Sequence, residues 1–429
     1  MAATEPKADF TMVSSPRVAY ICSPELVRVS SLLPSNLNRS ALVHTLVNAY
    51  GLLKRPNCTL VKPGKAVRKD LERYHEAEYL DYVLGPHNDE EQGGKFMEHA
   101  ATFGLEDVVF PRLDEYIHMV AGATLTATKA IQNSVFDVAI CWDGGRHHAH
   151  KGHAAGFCYV ADCVLCILQL KRILPGQKER SRVAYLDLDL HHGDGVAEAF
   201  TSRSVNEMED EVVGESAEQG GQGFTTHNVI NLMAIATQNN YHRATSSHPF
   251  SLSIPLGRGT SSPTYARVWV LVERIISAFF CWDVESKQES EAPTYLVVQC
   301  GVDGLAGDPY AVWNWDIDIE REGSLGWCVQ RVMRWVSGNK LKAVFLGGGG
   351  YNNPNAARAW ACLTSIITGM PLVATADIPD HGGFLHYAPS FILDVPAGNM
   401  PDENTSQELE LIENNMYSLI QRIQRAQQA

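Results

Sequence analysis

The chain has 429 residues, 45% of them apolar and 20% charged, with 49 acidic against 35 basic side chains and a formal charge of -14. This is a globular composition, neither disordered nor disulfide-dense, and its scattered Lys and Arg exclude a protein that wraps duplex DNA through phosphate neutralisation. No apolar run reaches the roughly 20 residues that span a bilayer, and Glu5, Lys7 and Asp9 stand where a signal peptide needs an apolar stretch, so a nuclear or cytosolic protein is expected.

In chain order, RVAYICS from Arg17 reads as a first strand, and ALVHTLVNAYGLLK follows as a helix with apolar residues three and four apart. DVAICW from Asp137 is a second strand. VADCVLCILQLKRIL then reads as a buried helix; its Cys163 and Cys166 have no second cysteine pair nearby, as a zinc site of that type requires, so reduced buried thiols are expected. RVAYLDLDL from Arg182, TYLVVQC from Thr294 and KAVFLGG from Lys342 are further strands, with the amphipathic YARVWVLVERIISAFF among them. This alternation predicts an α/β fold: one large domain with a mainly parallel open sheet flanked by helices. Two acidic segments interrupt it. Residues 204–248, with six acidic and one basic side chain, read as a flexible insert, and a tail from Pro401 carries DENTSQELELIENN before a final helix. The expected domain is 15–398, with 1–14 and 399–429 as terminal extensions.

Four strands each run into glycine mixed with His, Asp or Tyr: DGGRHHAHKGH, HHGDG, GVDGLAGDP and GGGGYN. Ligands bind at the carboxyl ends of strands in open α/β sheets, so these clusters are expected to meet. In LDLDLHHGDG, Asp187 and Asp189 share one strand face, and two buried carboxylates side by side call for a cation. Asp189 and His191, joined by Asp303, make a three-ligand set with a position open to water, suited to zinc and also to iron(II). Asp308 competes with Asp303, but the turn chemistry before Pro309 favours a bracing role. His147 and His148 are suited to proton transfer, with Asp187 and Asp194 as orienting partners. His150 and His153 read as polar loop residues. GGGGYN lacks the Lys-Ser or Lys-Thr of a phosphate loop and is read as backbone that presents Tyr351 to a cleft, with Gly349 beside it as a substrate-binding residue.

Assembled, these motifs resemble the class I histone deacetylases of the arginase and deacetylase superfamily. The likeness runs from about Arg17 to Val395 through DGGRHHAHKGHAAGFCY, YLDLDLHHGDGV, GVDGLAGDP, LGGGGYN and IPDHGGFLHYAPSFILDV. It implies a zinc-dependent amidohydrolase that removes acetyl groups from lysine in histone tails or other proteins, in the nucleus and also in the cytoplasm, with corepressor subunits as partners. It implies Asp189, His191 and Asp303 as zinc ligands, His147 with Asp187 and His148 with Asp194 as the active-site pairs, and Tyr351 as the residue that polarises the acetyl carbonyl. Gly156 and Phe157 would line the acyl-lysine channel, Asp107 would hold the substrate backbone at the rim, and Arg39 would line the acetate exit. Potassium would sit by Asp187, Asp189 and the His191 carbonyl.

The chain also departs from the family. The Gly-Phe-Phe-Pro-Gly loop expected after HHGDG is absent, with 204–248 in its place and Phe224 a poor substitute. Arg146 stands where relatives carry an apolar residue, Tyr310 where a smaller aliphatic or Met is usual, Val108 and Val109 where Cys-Pro is expected, and Ala161 where Asn is expected. Two other functions stay open from sequence: a catalytically weak scaffold of the same fold in a chromatin complex, and a deacetylase of small amines such as polyamines. An arginase-like hydrolase would want a second set of metal-binding carboxylates.

Overall fold

The computed structural model describes residues 15–85, 100–105, 109–200, 229–236, 251–282 and 292–428. Eight strands form one sheet: β1 Val18–Ile21, β2 Cys58–Val61, β3 Val138–Cys141, β4 Arg182–Asp187, β5 Val229–Ala236, β6 Ser251–Leu256, β7 Thr294–Gln299 and β8 Lys342–Leu346. Their order is β2-β1-β3-β8-β7-β4-β5-β6. Every pairing is parallel. All the carboxyl ends therefore point the same way, and the four strands that end in Gly, His and Asp clusters are the adjacent β3, β8, β7 and β4.

Parallel strands covered on both faces need apolar side chains on both. β1 and β3 are buried at every residue. Val18, Tyr20, Ile140, Leu186, Val298 and Phe345 contribute to the core on one face. Ala19, Ile21, Cys141, Tyr185, Val297 and Leu346 contribute to the core on the other. The helix Leu113–Gln132 packs on the second face, and Ser262–Phe280, Leu325–Gly338 and Asn353–Ile367 on the first. Ser262–Phe280 starts with a proline in its first turn and buries Tyr265, Val268, Trp269, Val272, Ile275, Ile276 and Phe279, the three and four spacing of one helix face. It stops at Cys281, whose φ of 59° is left-handed.

The helix expected around Cys163 and Cys166 is Asp162–Leu170, with both sulfurs buried. All ten cysteines are free thiols. β2, β5 and β6 were not foreseen. β5 lies within 204–248, so that segment is not wholly an insert: residues 229–236 complete the sheet between β4 and β6. The tail beyond residue 398 is likewise held against the domain. Asp402 Oδ2 accepts from the Ser261 amide at 3.0 Å and from Thr264 Oγ1 at 2.6 Å, at the start of the helix Ser262–Phe280. The final helix Ser406–Gln428 buries Leu409, Met416, Leu419, Ile420 and Ile423.

Candidate active site

β4 ends at Asp187, so Asp189 and His191 lie on the loop beyond it rather than within a strand. The loop still turns both carboxylates inward. Asp187 is 1% exposed, Asp189 1% and Asp303 0%. One donor atom each from Asp189, His191 and Asp303 lies within 4.8 Å of the others. His191 Nδ1 is 2.8 Å from Asp303 Oδ2 and 3.4 Å from Asp189 Oδ1.

Backbone and amide donors fix the far side of each carboxylate. Asp189 Oδ2 accepts from Gln299 Nε2 at 2.9 Å and the Gly349 amide at 2.8 Å, and Asp303 Oδ1 accepts from the Leu190 amide at 3.0 Å. The chain approaches so closely that a Cβ on Gly301 would fall 1.9 Å from Asp189 Oδ2, and one on Gly349 2.1 Å from Asp303 Oδ2. Glycine is required at both positions. Burial and the neighbouring Asp189 charge push the Asp303 carboxyl up to about 6, a repulsion that a divalent cation between them would relieve. Two carboxylates and one imidazole, converging and braced from behind, fit a zinc or iron(II) ion.

The two histidines after the Gly-Gly turn each meet a separate acid. His147 Nδ1 is 2.8 Å from Asp187 Oδ2, which also accepts from Tyr185 Oη at 2.8 Å. His148 Nδ1 is 2.7 Å from Asp194 Oδ1, and the two rings lie 4.1 Å apart. Burial works against a charged His147, but the Asp187 and Asp189 carboxylates outweigh it and hold the imidazole up at about 9. His148 is lowered, by burial first and then by His147, against the pull of Asp194. In both pairs the carboxylate fixes Nδ1, which leaves Nε2 for chemistry.

Tyr351 stands between two other rings, 5.9 Å from Phe157 and 4.6 Å from Tyr310. Tyr310 is also 6.3 Å from the His191 ring. Burial, then the Asp303 and Asp189 charges, raise the Tyr351 hydroxyl well above its ordinary value, so it stays a donor. Asp308 is not one of the converging groups Asp189, His191 and Asp303. Its Oδ2 accepts from the Tyr351 amide at 2.6 Å and the Asn352 amide at 3.0 Å, and its Oδ1 from the Tyr310 amide at 3.0 Å. The bracing role expected for it therefore extends to the loop that carries Tyr351.

Arg39 is buried beneath this loop, donating to the Gly350 carbonyl at 2.8 Å and lying 4.8 Å from the centre of the Trp360 ring. Arg146 is buried as well, and both line a cavity with Asn36, Ser40, His44 and Asp143. Gly156 is exposed and lies against His148, and Asp107 and Phe224 lie outside the described residues. Potassium was expected beside Asp187 and Asp189; Asp187 Oδ1 accepts from the Asp189 amide at 3.1 Å, which fixes the two carboxylates relative to each other.

Three contributors were not singled out from sequence. Gln299, fully buried at the end of β7, donates to Asp189 and accepts from the Gly301 amide at 2.7 Å. Asp162 accepts from the Gly145 and Arg146 amides at 2.9 and 2.7 Å, which sets the turn before His147. His150, read as a polar loop residue, shares Asp194 with His148, its Nε2 lying 3.6 Å from Asp194 Oδ2. The only signal for Gln299 and Asp162 is a polar residue inside an apolar run.

Comparison with known proteins places this geometry in a family context. A model described as the histone deacetylase domain matches residues 33–367. Histone deacetylase 8 of Danio rerio is 33% identical over 397 residues, covering 92% of this chain and 93% of the relative. Histone deacetylase 8 of Xenopus tropicalis is 33% identical over 398 residues, covering 92% and 95%, and that of Xenopus laevis 31% identical over 368 residues, covering 85% and 99%.

Proposed function

The chain belongs to the histone deacetylase family, and on that premise we propose that it is a zinc-dependent hydrolase of the acetyl amide of Nε-acetyl-lysine in histones or other proteins. The observation that carries the reading is the convergence of Asp189, His191 and Asp303 beside two separate His-Asp pairs and Tyr351.

Zinc held by Asp189, His191 and Asp303 would supply Lewis acidity toward the acetyl carbonyl and toward water. The chain's own residues do the rest. Phe157 and Tyr310 flank Tyr351 and form apolar walls for the lysine stem. The Tyr351 hydroxyl donates to the carbonyl oxygen as negative charge develops there. One imidazole of the His147 and His148 pair takes the proton of the attacking water, and an imidazolium of the same pair gives a proton to the departing lysine amine. Asp187 and Asp194 stabilise the charged form of each ring. Potassium beside Asp187 and Asp189 is part of this proposal, as are a nuclear place of action, a role in transcriptional repression and corepressor partners. The names of the relatives support the protein substrate class, and among the described residues no helix is long and apolar enough to cross a membrane.

The test is hydrolysis of an acetyl-lysine peptide by purified protein whose metal content has been measured, beside Asp189→Ala and Tyr351→Phe. The proposal expects one zinc per chain and turnover that Asp189→Ala abolishes. Zinc-loaded wild type with no turnover above Asp189→Ala would favour the scaffold, and faster turnover of an acetylated polyamine than of the peptide would favour the small-amine enzyme.

A further inference from the structure

Asp194 faces two imidazoles. Its Oδ1 lies 2.7 Å from His148 Nδ1, and its Oδ2 lies 3.6 Å from His150 Nε2. The other nitrogen of His150, Nδ1, is 2.5 Å from Glu198 Oε2, one turn further along the helix Asp194–Ala199. The face of the His150 ring is stacked on His153, with centroids 4.3 Å apart and planes within 10°. His150 is thus held at both nitrogens and one face, although it sits on a loop. The His150 side chain is 12% exposed, whereas those of Asp194 and Glu198 are 49% and 62% exposed.

We propose that His150 is a positioning residue for His148: by occupying Asp194 Oδ2 it keeps Oδ1 aligned on His148 and offsets part of the carboxylate's charge. The inference rests on the hydrolase reading above. The Gly195 amide donates to Asp194 Oδ1 at 3.0 Å but leaves Oδ2 to His150; without a partner at Oδ2 the half-exposed carboxylate tilts about that one contact, and the catalytic geometry tolerates little such play. A cation on the far oxygen also weakens the pull of Asp194 on the His148 proton. The Asp194 and Glu198 carboxylates outweigh partial burial and raise His150 above its ordinary value, so that cation is favoured. Among the described residues, His153 and Lys151 on its own loop and His75, Glu76 and Tyr74 on the neighbouring segment surround His150, while His147, Asp189 and the His191 ring also face His148.

The test uses zinc-loaded full-length protein with His150→Gln, which removes the cation, and His150→Lys, which keeps one. The pH dependence of kcat/KM on an acetyl-lysine peptide is measured together with the His148 titration by NMR of histidine-labelled protein. In His150→Gln the His148 titration and the kinetic limb it governs move to higher pH by roughly 0.5–1 unit, and kcat falls more than KM changes. His150→Lys keeps the wild-type profile. An unmoved His148 titration in His150→Gln, or an equal shift in His150→Lys, overturns the proposal. The NMR arm reads His148 without turnover, so an inactive wild type would sink the hydrolase reading and leave this test standing.

Discussion

Asp308 ties its own turn to the loop that carries Tyr351. Asp308 is 8% exposed, and its carboxylate accepts from three amides, that of Tyr310 on its own turn and those of Tyr351 and Asn352 on the loop after β8. Asp308→Ala strips all three of their acceptor. Hydrogen bonds to a charged group contribute about 1.5–3 kcal/mol each, so three make a gross loss of roughly 4.5–9 kcal/mol. Relief of a buried charge offsets part of this, since burial already raises the Asp308 carboxyl above its usual range. A net destabilisation of about 2–4 kcal/mol remains, of the size seen when buried hydrogen-bond networks are broken. The catalytic effect follows from position: a shift of about 1 Å in a catalytic group lowers turnover roughly 100-fold. The assay is a double-mutant cycle on kcat with Asp308→Ala, Tyr351→Phe and the double variant. If Asp308 acts through Tyr351, the double variant is no slower than Tyr351→Phe alone. Losses that multiply would refute the argument, as would full activity in Asp308→Ala.

Gln299→Leu removes the amide that holds Asp189 Oδ2 and should weaken zinc binding about 10- to 100-fold, the scale for residues that orient a ligand, measured by competition with a chelator. Tyr310→Leu should raise KM for an acetyl-lysine peptide more than it lowers kcat, because the Tyr310 ring, 4.6 Å from that of Tyr351, is the proposed wall for the lysine stem; an unchanged KM would remove Tyr310 from the channel wall. The buried pair His44 and Asp143, 2.9 Å apart, makes a pH prediction. Burial disfavours a charged His44, but Cys22 and Asp143 overcome it and hold the imidazole up at about 10. Its contribution to stability is therefore full below the unfolded value of about 6.5 and is lost as pH rises toward 10. Burial opposes ionisation of Asp143 and His44 outweighs it, so the acid is held below its ordinary value and its contribution is present above that value and lost as pH falls. Urea unfolding of His44→Gln should show a flatter pH dependence between 6.5 and 10 than wild type, and parallel curves would contradict the pairing.

What the sequence disclosed was governed by range. The clusters at the ends of β3, β4, β7 and β8 are local, with glycine beside the chemical residue, and neighbouring parallel strands bring them together. The convergence of Asp189, His191 and Asp303 was legible because each follows an apolar strand and the two strands involved, β4 and β7, end side by side. Gln299 and Asp162 were hidden because nothing near them in sequence marks their partners: Gln299 meets Asp189 across 110 positions, and Asp162 meets Gly145 across 17. β5 was lost for a related reason. VINLMAIA is apolar enough for a buried strand, but it stands inside Asn, Gln, Ser and Glu-rich chain that reads as an insert, and only pairing with β4 and β6 fixes it. His150 was read as a polar loop residue because HHAHKGH carries no sign that Asp194 serves two rings.

The most direct test of the central claim is zinc titration of metal-stripped protein, following acetyl-lysine peptide hydrolysis in wild type and Asp303→Ala. Activity is expected to rise linearly to one equivalent in wild type and to stay at the floor in Asp303→Ala, which binds zinc far more weakly. Full hydrolysis by the metal-stripped protein, or undiminished zinc affinity in Asp303→Ala, would contradict the claim.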